Sequence, residues 1–138
     1  SMQDSSSINL LYELQHNEDD LVVARISYHS EIKCESCVRS FFSSEENTTF
    51  FLKTEKINKL SNFQHNQIIS SLKKIKNKKM ILIKEDCITP YEERQALYIL
   101  YQKRLYSFVY VPCQGVDFGE MLKENKELVN YLQILLVL

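Results

Sequence analysis

The stretch that decides the fold is LVVARISY, residues 21–28. Its even-numbered positions carry Val, Ala, Ile and Tyr, and the positions between them carry Val, Arg and Ser. This period-2 pattern is typical of a half-buried strand, and it directs Arg25 to the face opposite the core residues. A polar turn over residues 17–20 precedes the strand. The apolar segment before that turn is short, so we expect residues 8–15 and 21–28 to form a β-hairpin.

The middle of the chain contains shorter patterns. Residues 32–60 can supply one short helix and one strand, with a polar surface loop over 43–47. Apolar side chains recur at helical spacing over residues 66–76. Residues 80–83 form a continuous apolar run, which is typical of a strand buried on both faces. We therefore expect a helix followed by a central strand.

The last third of the chain predicts two helices and two strands. Thr89 is a suitable helix cap and Pro90 suits the first turn, so a long helix is expected from there to Arg104. The later segments are a strand over 105–111, a turn containing Gly115 and Gly119, a short helix around 121–128 and a final strand over 131–138.

Length and composition indicate one folded domain. The chain has 138 residues, and 44% of them are hydrophobic, which is enough to form a single core. We assign residues 1–8 to an expression scar and flexible lead-in, and residues 9–138 to the domain. The formal net charge of −1 provides no global attraction to nucleic acid or anionic membrane. No apolar run reaches the roughly 18 residues of a membrane helix.

Catalytic and metal sites are not indicated by the sequence. Cys34 and Cys37 form a C-x-x-C pair without a second pair at zinc-ligand spacing, so free thiols in a reducing compartment are the simpler interpretation. The three histidines lie outside any hydrolase or protease motif. Two glycines in the whole chain do not make a phosphate-cradling loop. We therefore expect no enzyme activity, no metal and no cofactor.

Basic residues are the strongest charge feature. Five lysines lie at the end of the helix predicted over 66–76; they are Lys73, Lys74, Lys76, Lys78 and Lys79. They can be a solvated helix end whose charges oppose the helix dipole, or an anion-binding edge. Lys103 and Arg104 end the second predicted helix and allow the same two interpretations. Arg25 is a further candidate, because arginine is not a preferred residue in mid-strand.

Taken in order, these segments resemble the SPOC domain, a distorted β-barrel with flanking helices found in transcriptional co-repressors and other large nuclear scaffolds. The resemblance is carried by the predicted opening hairpin, helix-then-strand, long helix with its following strand, and terminal apolar strand; these are Leu11–Ile26, Ile68–Ile83, Ala96–Pro112 and Leu128–Leu138. It implies an α+β fold with a SPOC-like barrel of mostly antiparallel strands.

The resemblance also implies a nuclear, monomeric module that binds acidic or serine-phosphorylated peptides in a basic patch. Arg25 matches the basic strand position of that family, and Lys103 or Arg104 matches its basic helix end, with help from Lys73 or Lys74. A phosphoserine offers nearly two charges and three acceptor oxygens to such cations. The acidic residues 18–20 depart from the family, because several members have a lysine there.

Two other functions stay open. The domain can assemble a transcription or silencing complex through an apolar surface, as a subunit that docks on other protein parts. It can also bind nucleic acid through the lysine-rich helix end, which we expect less because the net charge is close to zero.

Overall fold

The computed structural model describes residues 5–29, 38–45, 51–52, 55–83, 93–111 and 118–138. All four cysteines, the predicted helix start at Thr89 and Pro90, and the turn residue Gly115 lie outside the described residues. The predicted lead-in over 1–8 is helical from Ser5 onward.

The described residues form helices on both faces of one mixed sheet. In chain order the elements are α1 Ser5–Leu14, β1 Val22–His29, β2 Val38–Ser43, β3 Phe51–Leu52, β4 Glu55–Lys59, α2 Asn62–Leu72, β5 Lys79–Ile83, β6 Glu93–Tyr101, β7 Arg104–Val111, α3 Phe118–Glu124 and α4 Leu128–Val137.

The sheet has the strand order β3-β4-β2-β1-β6-β7-β5. Strand β1 is antiparallel to both β2 and β6, and β6 is antiparallel to β7. The pairs β2–β4 and β5–β7 are parallel. The fold is therefore α+β with a mixed sheet. The described strands do not close on themselves, so the predicted barrel is not confirmed.

Each face of the sheet carries its own core. Helix α1 covers one face, where Leu11 packs with Ala24 and Tyr98. Helices α2 and α4 cover the other face, where Ile68 and Tyr131 belong to the same cluster as Val23. Both sets of β1 side chains are consequently buried, which explains why the strand carries apolar residues at consecutive positions. Arg25 lies on the face opposite Val22, Ala24 and Ile26, as predicted, but α2 and α4 cover that face and Arg25 is partly buried, so the prediction of a one-sided, half-buried strand was wrong.

The predicted opening hairpin was also wrong, because residues 5–14 form α1. Strand β1 itself is confirmed. The segment places Leu10, Leu11 and Leu14 at helical spacing, and all three are buried against the sheet. The same apolar residues suit a short strand or a helix when the sequence is considered alone. Packing against the β1 face selects the helix.

The predicted long helix to Arg104 is strand β6 over its described part. Ala96 and Tyr98 alternate with Leu97 and Ile99 between the two cores, so both faces of the strand are apolar. A continuous apolar run of this kind cannot be distinguished from a buried helix by periodicity.

The final segment shows the opposite error: the predicted strand over 131–138 belongs to helix α4. Its buried residues Leu128, Tyr131 and Ile134 follow one another at intervals of three. Strand β5 is confirmed, but it lies at an end of the described sheet rather than in its centre, and Ile81 is 44% exposed. Helix α2 and strand β7 agree with the sequence, and α3 overlaps the short helix expected around 121–128.

Candidate functional site

A groove of about 420 Å³ separates the end of α2 from the hairpin that joins β6 and β7. It brings together two of the cations singled out in the sequence, Lys73 and Arg104, which come from distant segments. The groove is lined by Ile69, Leu72, Lys73, Ile75, Tyr101, Gln102, Arg104 and Tyr106.

The β6–β7 hairpin positions one side of the groove. Tyr101 pairs with Arg104 across a two-residue turn, and Gln102 and Lys103 both have positive φ, at 49° and 64°. Positive φ at both central residues characterises the tight turn whose twist matches that of the flanking strands. Lys103 and Arg104 therefore belong to this hairpin. The prediction from the sequence that they end a helix was wrong.

The tip of this hairpin is attached to the connection between α1 and β1. The backbone N–H of Gln102 donates to the carbonyl of Glu18 at 2.8 Å, and the Lys103 ammonium lies 3.3 Å from the Glu18 carboxylate. Gln15 holds the connection itself, because its side-chain amide donates to the carbonyl of Asp20 at 2.9 Å. The two hydrogen bonds to backbone carbonyls hold the tip, and so they also hold the start of β7 where Arg104 lies, whereas the exposed Lys103–Glu18 ion pair contributes little.

The other side of the groove is the end of α2. The helix begins with a capping box in which Ser61 accepts from the Gln64 N–H and the Gln64 side chain accepts from the Ser61 N–H. Ile68 and Leu72 bury one side of the helix against the sheet. Lys73 is the C-cap, and its backbone N–H donates to the carbonyl of Ile69. The cation therefore follows directly after the last buried turn.

Helix α4 anchors the turn that follows. The Glu127 carboxylate accepts from the backbone N–H groups of Lys76 and Asn77, at 2.6 and 3.1 Å. The Tyr131 hydroxyl donates to the Asn77 carbonyl at 2.8 Å. Burial raises the pKa of Tyr131, with a further contribution from the negative charge of Glu127. The lysine-rich turn is thus attached to the core by Tyr131 of α4 and by Glu127, the residue that precedes α4.

The groove has exposed cationic side chains at its rim and buried apolar side chains at its base. Leu72 and Tyr106 are buried, whereas Lys73 and Arg104 are exposed. No Asp or Glu is among the residues that line the groove. An anionic group can therefore approach both cations without meeting a carboxylate, and an apolar side chain can cover the partly buried Tyr101 or Ile75.

The remaining predicted cations do not line this groove. Lys103 is 82% exposed at its side chain and pairs with Glu18. Lys74 is exposed, and its carbonyl accepts from the Asn130 amide at 3.4 Å. Arg25 is opposite Leu97 in β6, four residues from the Tyr101 that pairs with Arg104. With about 3.4 Å per residue and about 4.8 Å between strands, the Cα atoms of Arg25 and Arg104 are roughly 17 Å apart.

Sequence reasoning did not single out Tyr101 and Tyr106. The available signal was their placement on either side of a basic pair, in the stretch YQKRLY over residues 101–106. Assignment of this stretch to a helix end concealed the signal, because in a hairpin both tyrosines flank the same turn.

Metal ligation and membrane insertion are not supported by the described residues. Within them, no group of three or more His, Cys, Asp or Glu side chains could hold a metal ion. None of the described helices is long and apolar enough to cross a membrane. The sequence matches no protein-family model and no curated protein, and no solved structure matches either.

Proposed function

We propose that this chain is a non-catalytic interaction domain that binds an acidic or serine-phosphorylated peptide in the groove between α2 and the β6–β7 hairpin. The observation that carries the proposal is that Lys73 and Arg104 line the same groove and that no acidic residue lines it. Lys73 and Arg104 are the anion-binding residues of the proposal, and Lys103, Lys74 and Arg25 lie outside it.

The ligand follows from the chemistry of the two cations. A guanidinium can donate two parallel hydrogen bonds to a phosphate or carboxylate, and an ammonium adds a point charge. Each charge-assisted bond contributes about 1.5–3 kcal/mol when it is partly desolvated. Two such contacts supply about 3–6 kcal/mol, which corresponds to an affinity on the order of tens of micromolar or weaker before the entropy of ordering a short peptide is subtracted. This strength suits an interaction that a kinase or phosphatase can reverse.

A SPOC-like module in a nuclear transcription or silencing scaffold is the context we propose for this groove. Two of the segments that carried the resemblance support it: helix α2 is followed by strand β5, and β7 ends at Val111 directly before Pro112. Helices α1 and α4 and strand β6 differ from the elements expected of that resemblance, which were a hairpin strand, a terminal strand and a long helix. A SPOC-like barrel belongs to this proposal and not to the described fold.

The test compares serine-containing peptides with and without phosphate by fluorescence anisotropy. We expect the phosphorylated peptide to bind more tightly, and we expect Arg104→Ala and Lys73→Ala each to weaken it about tenfold, which corresponds to about 1.4 kcal/mol. Lys103→Ala is the matched control, because it removes a cation from the same hairpin but outside the groove. Its affinity should stay within about twofold of the unchanged chain.

Two results would contradict the proposal. Equal weak binding of both peptides by all variants would exclude a phosphate-selective groove. The second result is salt-dependent binding of RNA or DNA whose affinity is lowered equally by Lys73→Ala and Lys74→Ala. It would favour the lysine-rich turn as a nucleic-acid surface. Arg25→Ala should have no effect, and a loss there would show that the ligand extends beyond the groove.

A further inference from the structure

The outer surface of α2 and α4 is free of charged residues. The 11 residues of α2 and the 10 residues of α4 include no Asp, Glu, Lys or Arg, although 25% of the chain is charged. Surface helices of soluble proteins ordinarily carry charges on the face that points to water. Absence of charge across two neighbouring helices is instead typical of the central part of a protein interface.

The two helices are antiparallel neighbours and present one continuous surface. At one end the Gln64 side chain donates to the Val137 carbonyl at 2.9 Å, and at the other end Asn130 donates to the Lys74 carbonyl at 3.4 Å. The first contact places the start of α2 beside the end of α4. Phe63, which is 64% exposed in the first turn of α2, and Leu136, which is 85% exposed in the last turn of α4, are therefore at the same end of the helix pair.

The rest of this surface consists of small amide and hydroxyl side chains with one apolar residue. Its exposed members, besides Phe63 and Leu136, are Asn62, Asn66, Gln67, Ser70, Val129 and Gln133. Amide side chains both donate and accept hydrogen bonds, so a second surface of the same composition can satisfy them. We call these eight exposed residues the neutral surface.

We propose that the neutral surface is a dimer interface that packs against the neutral surface of a second copy of this chain. A two-fold interface requires a patch that complements itself, and a patch of apolar and amide groups without charge meets that requirement. A charged partner is disfavoured, because its charges would lose water without gaining an opposite charge. This inference uses none of the groove residues and is independent of the proposed function.

The area of the neutral surface determines how tightly the two copies are expected to associate. A helix of 10 or 11 residues is about 16 Å long, and two adjacent helices are about 20 Å wide. The strip is smaller than the roughly 800 Å² that each partner buries in a standard interface. We therefore expect a reversible dimer that forms at concentrations of tens to hundreds of micromolar, in place of the monomer that the sequence predicts.

Analytical ultracentrifugation over about 10 µM to 1 mM tests this proposal. The weight-average mass should rise with concentration toward twice that of one chain. Leu136→Glu and Phe63→Glu should each weaken dimerisation tenfold or more, because each places a charge in the interface. Tyr12→Glu is the matched control: Tyr12 is 56% exposed on α1, on the other face of the sheet, and its substitution should leave the mass profile unchanged.

All three substitutions are at exposed positions, and circular dichroism verifies that each variant is folded. A single-chain mass at every concentration would overturn the proposal and would leave the neutral surface to a different, uncharged partner. Equal weakening by Tyr12→Glu would also overturn it, because the association would then not depend on α2 and α4. Peptide binding in the groove should persist in Leu136→Glu, which separates this test from that of the proposed function.

Discussion

Glu127→Ala should destabilise the fold by releasing the turn between α2 and β5. Its carboxylate accepts from two backbone N–H groups, those of Lys76 and Asn77, across a separation of about fifty residues in the chain. Hydrogen bonds to a charged group contribute about 1.5–3 kcal/mol each, but they contribute less where water also reaches the donors. Both donor residues are exposed, so we expect a total loss of about 2 kcal/mol.

The measurement is urea unfolding followed by circular dichroism. With an m-value of about 2 kcal/mol per molar urea, a loss of about 2 kcal/mol lowers the midpoint by about 1 M. The midpoint of Glu127→Gln should lie between those of the unchanged chain and Glu127→Ala, because one amide oxygen can still accept both N–H bonds, as Oε1 of Glu127 does, but carries no charge. Glu124→Ala is the control, since Glu124 is an exposed carboxylate on the neighbouring helix α3.

An equal shift of the urea midpoint in Glu127→Ala and Glu124→Ala would refute this role of Glu127. That result would mean that the two backbone N–H groups are satisfied as well by water as by the carboxylate. Hydrogen exchange provides an independent check, because the amides of Lys76 and Asn77 should exchange faster in Glu127→Ala and not in Glu124→Ala.

Two further predictions concern the cap of α2 and an exposed ion pair. Ser61→Ala removes the capping box of α2 and should lower the free energy of unfolding by about 1 kcal/mol, whereas Ser70→Ala at an exposed mid-helix position should not; chemical denaturation of both distinguishes them. His16 lies 3.0 Å from Glu45, and the hydrogen bond and charge of that carboxylate raise the pKa of His16 above its usual 6.5. The stabilisation from this pair is therefore complete below pH 6.5 and is lost as the pH rises through the raised pKa of His16, and an NMR titration midpoint at or below 6.5 would contradict this assignment.

The sequence alone determined the elements whose pattern fits one period. Strand β1 follows a polar turn and has apolar residues at its even positions, α2 has apolar residues at helical spacing, and β7 ends directly before Pro112. All three elements occur where the sequence predicted them, although α2 covers Asn62–Leu72 and not 66–76. The two lysine and arginine clusters were also visible as candidates for anion binding. The sequence therefore predicted which residue types bind an anion, but only two of its five candidate cations line the groove.

Only the tertiary structure decided the identity of α1, β6 and α4. Each is an apolar segment whose residues fit both a helix and a strand, and burial against the two faces of the sheet selects between them. The groove has the same origin: Lys73 and Arg104 line one groove because α2 and the β6–β7 hairpin meet beside the same sheet face. Such proximity depends on strand order and on the attachment of the hairpin to the α1–β1 connection, which are long-range contacts that local sequence patterns do not encode.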